Sequence, residues 1–305
     1  MLRRIGLPLA STVAVSAIAV PSAIAVPPAI AAAPSATVPL PLPKTKAAKA
    51  RPANVGHRGA ASLAPENTIV GFKMARSKHA NLFEFDVQET KDHKLVLMHD
   101  ATLARTTNVE SVYPGHSYRV KSLTLAQVKR LDAGSWFGSR YKRTRVPTLG
   151  EALRAMKGSG LGALLEIKNP SLYPGIERRI ATELKHNSAW LRPDPRERRL
   201  IVQSFDWTSA RRFHRLLPKV PIALLGTPRT SQLPSLGKWA DQINATYTDI
   251  SPAYVRAIHR QKMEIFTWTV DGTGSMRRVL GYGVDGVISN KPDVLARVLN
   301  ARTNA

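Results

Sequence analysis

Within fewer than fifty positions, from 55 to 100, the chain gathers His57, Arg58, Glu84, Asp86 and His99. Two imidazoles titrating near neutrality suit general acid and base work. An arginine beside one of them presents a planar fork of donors that matches phosphate oxygens. Carboxylates two residues apart on an extended segment project to the same face, as Glu84 and Asp86 would in Phe83-Glu84-Phe85-Asp86-Val87. With Glu166 from a later run they offer three hard oxygen donors of the kind Mg2+ or Ca2+ takes. Phosphoryl chemistry uses each of these residue types, because it needs proton transfer and neutralised oxygen charge together. The chain has no cysteine, so thiolate nucleophiles, disulfides and zinc–cysteine sites are excluded.

Taken singly, each residue has a plainer reading. A histidine at a strand end is commonly a structural hydrogen-bonding group, carboxylates on one face are commonly solvated, and Arg58 could be a surface charge. The alternation in the Phe83-to-Val87 run weighs against that. If Phe83, Phe85 and Val87 pack beneath helices, Glu84 and Asp86 point into an interior where unpaired carboxylates are costly.

The elements that must position these groups follow from periodicity. Strand-type runs occupy 54–59, 82–88, 95–99, 163–168, 200–205, 222–225, 242–246, 264–270 and 286–289, with helix-period segments at 67–78, 148–156, 175–186, 207–217, 252–261 and 275–282. Thr148 and Glu151 form a capping-box pattern, and Ser251-Pro252 is a cap followed by proline at the first helical position. Strand–helix alternation repeated about eight times over roughly 250 residues predicts an α/β fold, a (β/α)8 TIM barrel, in which chemistry sits at the carboxyl ends of strands. An open doubly wound sheet competes, but no Gly-x-Gly-x-x-Gly turn follows the first strand. The four residues Lys91-Asp92-His93-Lys94 are too short for a crossover helix and predict a hairpin with His93 in its turn. Residues 101–146 form the largest irregular stretch, with one helical piece at 124–131 and the pair Trp136-Phe137. Following His99 directly, they read as a small insertion covering the mouth of a site.

The ends and the overall charge bear on location and partners. A basic start at Arg3-Arg4, an apolar stretch and small-residue sites give residues 1–33 the pattern of a secretory leader. A membrane anchor is the alternative, but Pro8 and Pro21 interrupt the apolar run. Residues 34–53 are rich in Pro, Ala and Lys and read as a linker, leaving 54–300 for the catalytic domain. The expected location is extracellular, with cell-wall association left open. A formal net charge of +24, scattered along the chain, favours polyanionic partners or peripheral contact with an anionic surface. No helix-turn-helix, zinc finger or ribonucleoprotein motif accompanies it, so no specific nucleic-acid readout is expected.

The motifs, in order, are His57-Arg58-Gly59, Pro65-Glu66-Asn67-Thr68, Glu84-Phe85-Asp86-Val87, His99-Asp100 with Arg105-Thr106-Thr107, Glu166-Ile167-Lys168, Gln203-Ser204-Phe205, Thr267-Trp268-Thr269-Val270 and Asp285-Gly286-Val287. Their order and spacing resemble the glycerophosphodiester phosphodiesterase family over nearly all of the expected mature chain. The resemblance implies a (β/α)8 barrel with an insertion after the second histidine, and hydrolysis of glycerophosphodiesters to sn-glycerol 3-phosphate and an alcohol. It further implies one divalent cation, Ca2+ or Mg2+, held by Glu84, Asp86 and Glu166, with His57 and His99 as general acid and base. Arg58 and Lys168 would hold the phosphate, Gln203 and Trp268 would line the glycerol pocket, and Glu66 and Asn67 would orient Arg58 or the metal site, unless they only cap the first helix.

Two positions depart from the family's common pattern. Asp271 stands where asparagine is common, and Ser289-Asn290 stands where Thr-Asp is common. Asp271 is expected to add negative charge near the mouth. Two related enzymatic readings share the scaffold: a phospholipase-like phosphodiesterase on intact lipids, and a hydrolase of glycerophosphate polymers of the teichoic-acid type. A phosphate-binding module without catalysis is a fourth reading, but it would be expected to have lost a histidine or a ligand carboxylate, and this chain keeps them all.

Overall fold

The computed structural model describes residues 51–194 and 198–303, so the expected leader and most of the linker lie outside the described residues. Nine strands form one sheet: β1 Ala53–Gly56, β2 Leu82–Glu89, β3 Leu95–Leu97, β4 Gly162–Ile167, β5 Leu200–Ser204, β6 Ile222–Leu225, β7 Gln242–Thr246, β8 Glu264–Trp268 and β9 Gly286–Ser289. Eight of them run parallel, and β1 pairs with both β2 and β9, which closes the barrel the alternation predicts. The ninth, β3, is the hairpin partner: it runs antiparallel to β2 with Val87 opposite Leu97, and His93 takes a left-handed φ of 58° in the turn.

The helices begin where short polar side chains satisfy their first free N–H groups. Thr68 caps Ile69–Ser77, Asp206 caps Trp207–Leu216, and Thr148 with Glu151 makes the expected capping box on Leu149–Met156. Ser251 caps Pro252–Arg260. The closing helix Pro292–Thr303 is an element the sequence pattern did not predict.

Alternation along β2 decides which groups enter the barrel. Phe83, Phe85 and Val87 face outward into the main core, where Phe83 stacks on Phe85 and lies 4.8 Å from the Phe72 ring. Burying such side chains contributes about 1.5–3 kcal/mol each, enough to fix the strand's register and turn Leu82, Glu84 and Asp86 inward. At the amino-terminal end the barrel interior is an apolar plug of Val55, Leu82, Leu164, Ile201, Ala223, Phe266 and Ile288. Polar groups on the same strand faces lie one or two steps toward the carboxyl ends.

Residues 101–146 pack Leu103, Val109, Val120, Val128, Leu131 and Val146 against Val96 and Met98 at β3 to form a second small core. The helix expected over 124–131 is shorter, Leu125–Val128, opened by a Thr124–Gln127 capping box. It stops because the Asp132 carboxylate takes the backbone N–H groups of Gly134, Ser135 and Arg143, which draws the chain into a turn.

Candidate active site

Barrel register brings the three carboxylates together. Asp86 lies opposite Glu166, and Glu166 opposite Gln203, on adjacent parallel strands. One oxygen each of Glu84, Asp86 and Glu166 lies within 4.8 Å of the others, and all three residues are buried. Burial, then the charges of Asp86 and Glu166, push the Glu84 carboxyl well above the usual carboxylate range. Burial and Asp86 push Glu166 up to about 7. Burial also opposes ionisation of Asp86, but Lys168, His99 and Arg58 outweigh it and hold its carboxyl below the ordinary value.

The local cations are already engaged. Lys168 Nζ lies 2.9 Å from Glu166 and 3.5 Å from Asp86, and Arg58 Nε lies 3.7 Å from Asp86. Even so, Asp86 Oδ1 is buried without a hydrogen-bond donor. Three buried hard-oxygen donors with one orphaned acceptor fit a divalent cation, which such sites favour over zinc.

Each histidine uses Nδ1 on a second residue. His57 Nδ1 lies 2.7 Å from Asn290 Oδ1, and His99 Nδ1 lies 2.6 Å from Asp100 Oδ1. Burial and then the neighbouring Arg58 charge lower His57 to about 4, so its ring is neutral at pH 7. Asp100 is held down to about 2, chiefly by the hydrogen bond from Arg105. Sequence reasoning gave Asp100 and Arg105 no role, although both stand in the quoted motif. Arg105 bridges Asp100 and Glu66, and Glu66 also accepts from Arg58 Nη1 at 3.0 Å.

The first-strand loop is built to aim these groups. Arg58 adopts φ 50°, and its N–H reaches Glu84 Oε2 at 2.7 Å. Asn67, at φ 55°, donates through Nδ2 to Asp86 Oδ2 at 2.8 Å and accepts the Asp86 N–H at 3.0 Å. The helix is capped by Thr68, so Glu66 and Asn67 are not merely cap residues: one braces Arg58 and the other Asp86. Left-handed φ at a non-glycine residue such as Arg58 or Asn67 costs free energy, which the hydrogen bonds to Glu84 and Asp86 offset here.

His57, Arg58, Glu84, His99, Glu166, Lys168, Gln203, Phe205 and Trp268 line a cavity of about 130 Å3 at the carboxyl ends of the strands. Gln203 accepts from Asn244 Nδ2 at 2.6 Å and points Nε2 at Glu84. Trp268 anchors its indole N–H on the Asn244 carbonyl and meets the Phe205 ring edge-on. The residues lining the cavity include none of 101–146. The insertion braces the rim, through Arg105 on Glu66 and through Tyr141 Oη on the Leu63 carbonyl. The Asp271 carboxylate accepts from Ser289 Oγ and from the backbone and side chain of Asn290. A larger cavity of about 960 Å3, lined by Arg51, Lys157, Arg192, Arg198 and Arg199, opens at the other end of the barrel, away from both histidines and the carboxylates.

Comparison with known proteins gives the same direction. The model of the glycerophosphoryl diester phosphodiesterase family matches residues 57–294. A glycerophosphodiester phosphodiesterase of Caldanaerobacter subterraneus is 35% identical over 249 residues, 80% of this chain and 96% of that one. One from Bacillus subtilis is 34% identical over 259 residues, covering 80% and 85%. Among solved structures, a glycerophosphodiester phosphodiesterase from Agrobacterium tumefaciens superposes with TM-score 0.66 at 26% identity, over 80% of this chain and 98% of that one. A phosphodiesterase of Oleispira antarctica, solved with sn-glycerol-3-phosphate, shares the fold with TM-score 0.71 at 24% identity, covering 81% and 96%. Barrel, motif order and matched length agree, and the chain belongs to the glycerophosphoryl diester phosphodiesterase family.

Proposed function

We propose that this enzyme hydrolyses small glycerophosphodiesters to sn-glycerol 3-phosphate and an alcohol, with His57 and His99 moving the protons and Glu84, Asp86 and Glu166 holding one Ca2+ or Mg2+. The observation that carries the reading is the meeting of two imidazoles, the Glu84 and Glu166 carboxylates and two cationic side chains in one cavity of about 130 Å3, with the buried Asp86 carboxylate within 4.8 Å of the other two. Bound there, the cation supplies charge neutralisation for nonbridging phosphate oxygens.

The chain's own residues do the rest. With Nδ1 of both rings engaged, each histidine offers Nε2 to the substrate. His57, neutral at pH 7, takes the proton from the glycerol hydroxyl next to the phosphate. That oxygen attacks phosphorus, and the bond from phosphorus to the alcohol oxygen breaks. His99, with the Asp100 carboxylate behind it as counter-charge, gives the leaving oxygen its proton. Water then opens the cyclic phosphate as the two histidines exchange roles. Arg58 and Lys168 hold the phosphate, while Gln203 and Trp268 bound the glycerol side. Glu66 and Asn67 keep Arg58 and Asp86 in place. Export from the cell rests on the leader pattern of residues 1–33.

A second reading, cleavage of intact lipids, draws support from the 53% exposed Phe205 at the cavity rim. Glycerophosphocholine and phosphatidylcholine assayed side by side distinguish the two. The proposed reaction gives sn-glycerol 3-phosphate from the soluble diester, no turnover after chelation, and losses of about 10²–10⁴-fold for His57→Ala and for His99→Ala. Full activity in either variant, or with metal removed, refutes it. A diester lacking the neighbouring hydroxyl and still cleaved at full rate refutes the internal attack alone.

A further inference from the structure

The two departures from the family pattern meet at one place. Asp271 Oδ1 accepts from the Asn290 backbone N–H at 2.8 Å and from Ser289 Oγ at 3.0 Å, while Oδ2 accepts from Asn290 Nδ2 at 2.7 Å. The other end of the same amide, Asn290 Oδ1, lies 2.7 Å from His57 Nδ1. An ionised carboxylate has only acceptor sites, so the amide end facing Asp271 must be the NH2. The end facing His57 is then the carbonyl, which leaves Nδ1 to carry the ring proton. Hydrogen-bond polarity thus passes from one carboxylate through one amide to the imidazole. A free asparagine has no such rule, because its two ends differ little in shape.

We propose that Asp271 is a positioning residue for His57, acting through Asn290: it locks the amide so that His57 keeps its proton on Nδ1 and presents Nε2 to the cavity as an acceptor. This rests on the reading of His57 as a proton-transfer group. Carboxylate at 271 and amide at 290 supply one acceptor end and one donor end to the chain of hydrogen bonds, and exchanging the two would keep both. Neither change is sound alone. Asn290→Asp sets two carboxylates against each other, and Asp271→Asn lets the Asn290 amide turn and offer its NH2 to the imidazole.

The test compares the full chain with Asp271→Asn, Asn290→Asp and the double variant. The readouts are kcat and KM for glycerophosphocholine with divalent cation, the pH profile, thermal unfolding, and the 15N resonances of the His57 ring assigned by their loss in His57→Gln. In the unmodified protein near neutral pH, Nδ1 should be protonated and Nε2 not. Each single substitution should lower kcat about 10–100-fold, as removal of an orienting partner does, with KM within about threefold. The double substitution should recover at least tenfold over the poorer single, with the acid limb of kcat/KM moved to higher pH because a carboxylate now touches the ring directly. A proton on Nε2 in the unmodified protein overturns the proposal, and so does Asp271→Asn with unchanged kcat and ring signals. A folded double variant no better than either single also overturns it. If the unmodified protein turns over no diester, the proposed function fails, and the 15N spectrum still decides the role of Asp271.

Discussion

Burying three carboxylates within 4.8 Å of one another sets them against their own charge, and Lys168 with Arg58 only partly offsets the repulsion. Glu166 shows the consequence, its carboxyl raised from an ordinary 4.5 to about 7 by burial and then by Asp86. Between those values the folded chain binds a proton that the unfolded chain has released. The contribution of Glu166 to stability is therefore fully present below about pH 4.5, is lost as pH rises to about 7, and is absent above it. A divalent cation held by the three carboxylates, as proposed, would take over the proton's part. In chelator, the unfolding temperature measured relative to Glu166→Gln is expected to fall across pH 4.5–7, and Ca2+ or Mg2+ at about a hundredfold over Kd should restore about 2.7 kcal/mol at pH 8. Glu166→Gln should leave the metal-free protein at least as stable at pH 8, abolish the cation-induced rise, and cost activity about a hundredfold or more, in the range seen when preorganised charge is lost. A cation-induced rise that survives in the variant would show that Glu166 is not a ligand.

At the scale of elements, the aim of His57 and Arg58 depends on how tightly β1 turns into its loop. A Cβ on Gly56 would come 2.0 Å from the Gly59 carbonyl oxygen and 2.9 Å from Ala75 Cβ, so backbone would have to move. Gly56→Ala is expected to cost about 1–3 kcal/mol, as overpacking does, and to lower kcat/KM about a hundredfold, as a shift near 1 Å does at a reacting centre. A Cβ on Gly274, in the helix Thr273–Tyr282, would meet nothing outside its own helix within 4 Å. Gly274→Ala should instead raise stability by about 0.5–1 kcal/mol through helix propensity, with activity unchanged. Equal activity losses in the two variants would sink this account of the loop. The same elements show how far the sequence could be read. Period-two alternation around Glu84 and Asp86 was legible because Phe83 and Phe85 mark the opposite face, and eight repeats made the closed barrel the natural solution. The Arg105–Glu66 bridge and the return of Asn290 to His57 were not legible. They join positions 39 and 233 apart and exist only because barrel closure brings those loops to one rim. For the same reason the partners of Asp271 were not legible: they lie on the next strand's end. The packing of the insertion was not legible either, because local polarity does not reveal that its apolar residues join Val96 and Met98 in a second small core.

For the whole molecule, the formal charge of +24 is too large to be indifferent to an anionic substrate, and it acts before any contact is made. The proposed substrates differ in what that field can grip. Glycerophosphocholine pairs one phosphate with one quaternary ammonium and has no net charge, so a uniform positive field attracts and repels its two ends alike. A glycerophosphate polymer carries a negative charge on every unit. Raising ionic strength from about 0.01 to 0.15 M shortens the screening length from about 30 to 8 Å, which uncouples distant surface charge while leaving contacts inside the small cavity intact. For the polymer, kcat/KM should then fall about tenfold or more, within the range of electrostatic steering, while kcat holds. For glycerophosphocholine, both constants should change by less than about twofold, because its capture depends on the short-range groups of the cavity and not on the long-range field. Parallel salt dependence for the two substrates would mean that the surface charge plays no part in choosing between them. A steep fall confined to the polymer would make the charge a determinant of substrate class, acting outside the cavity that carries the chemistry.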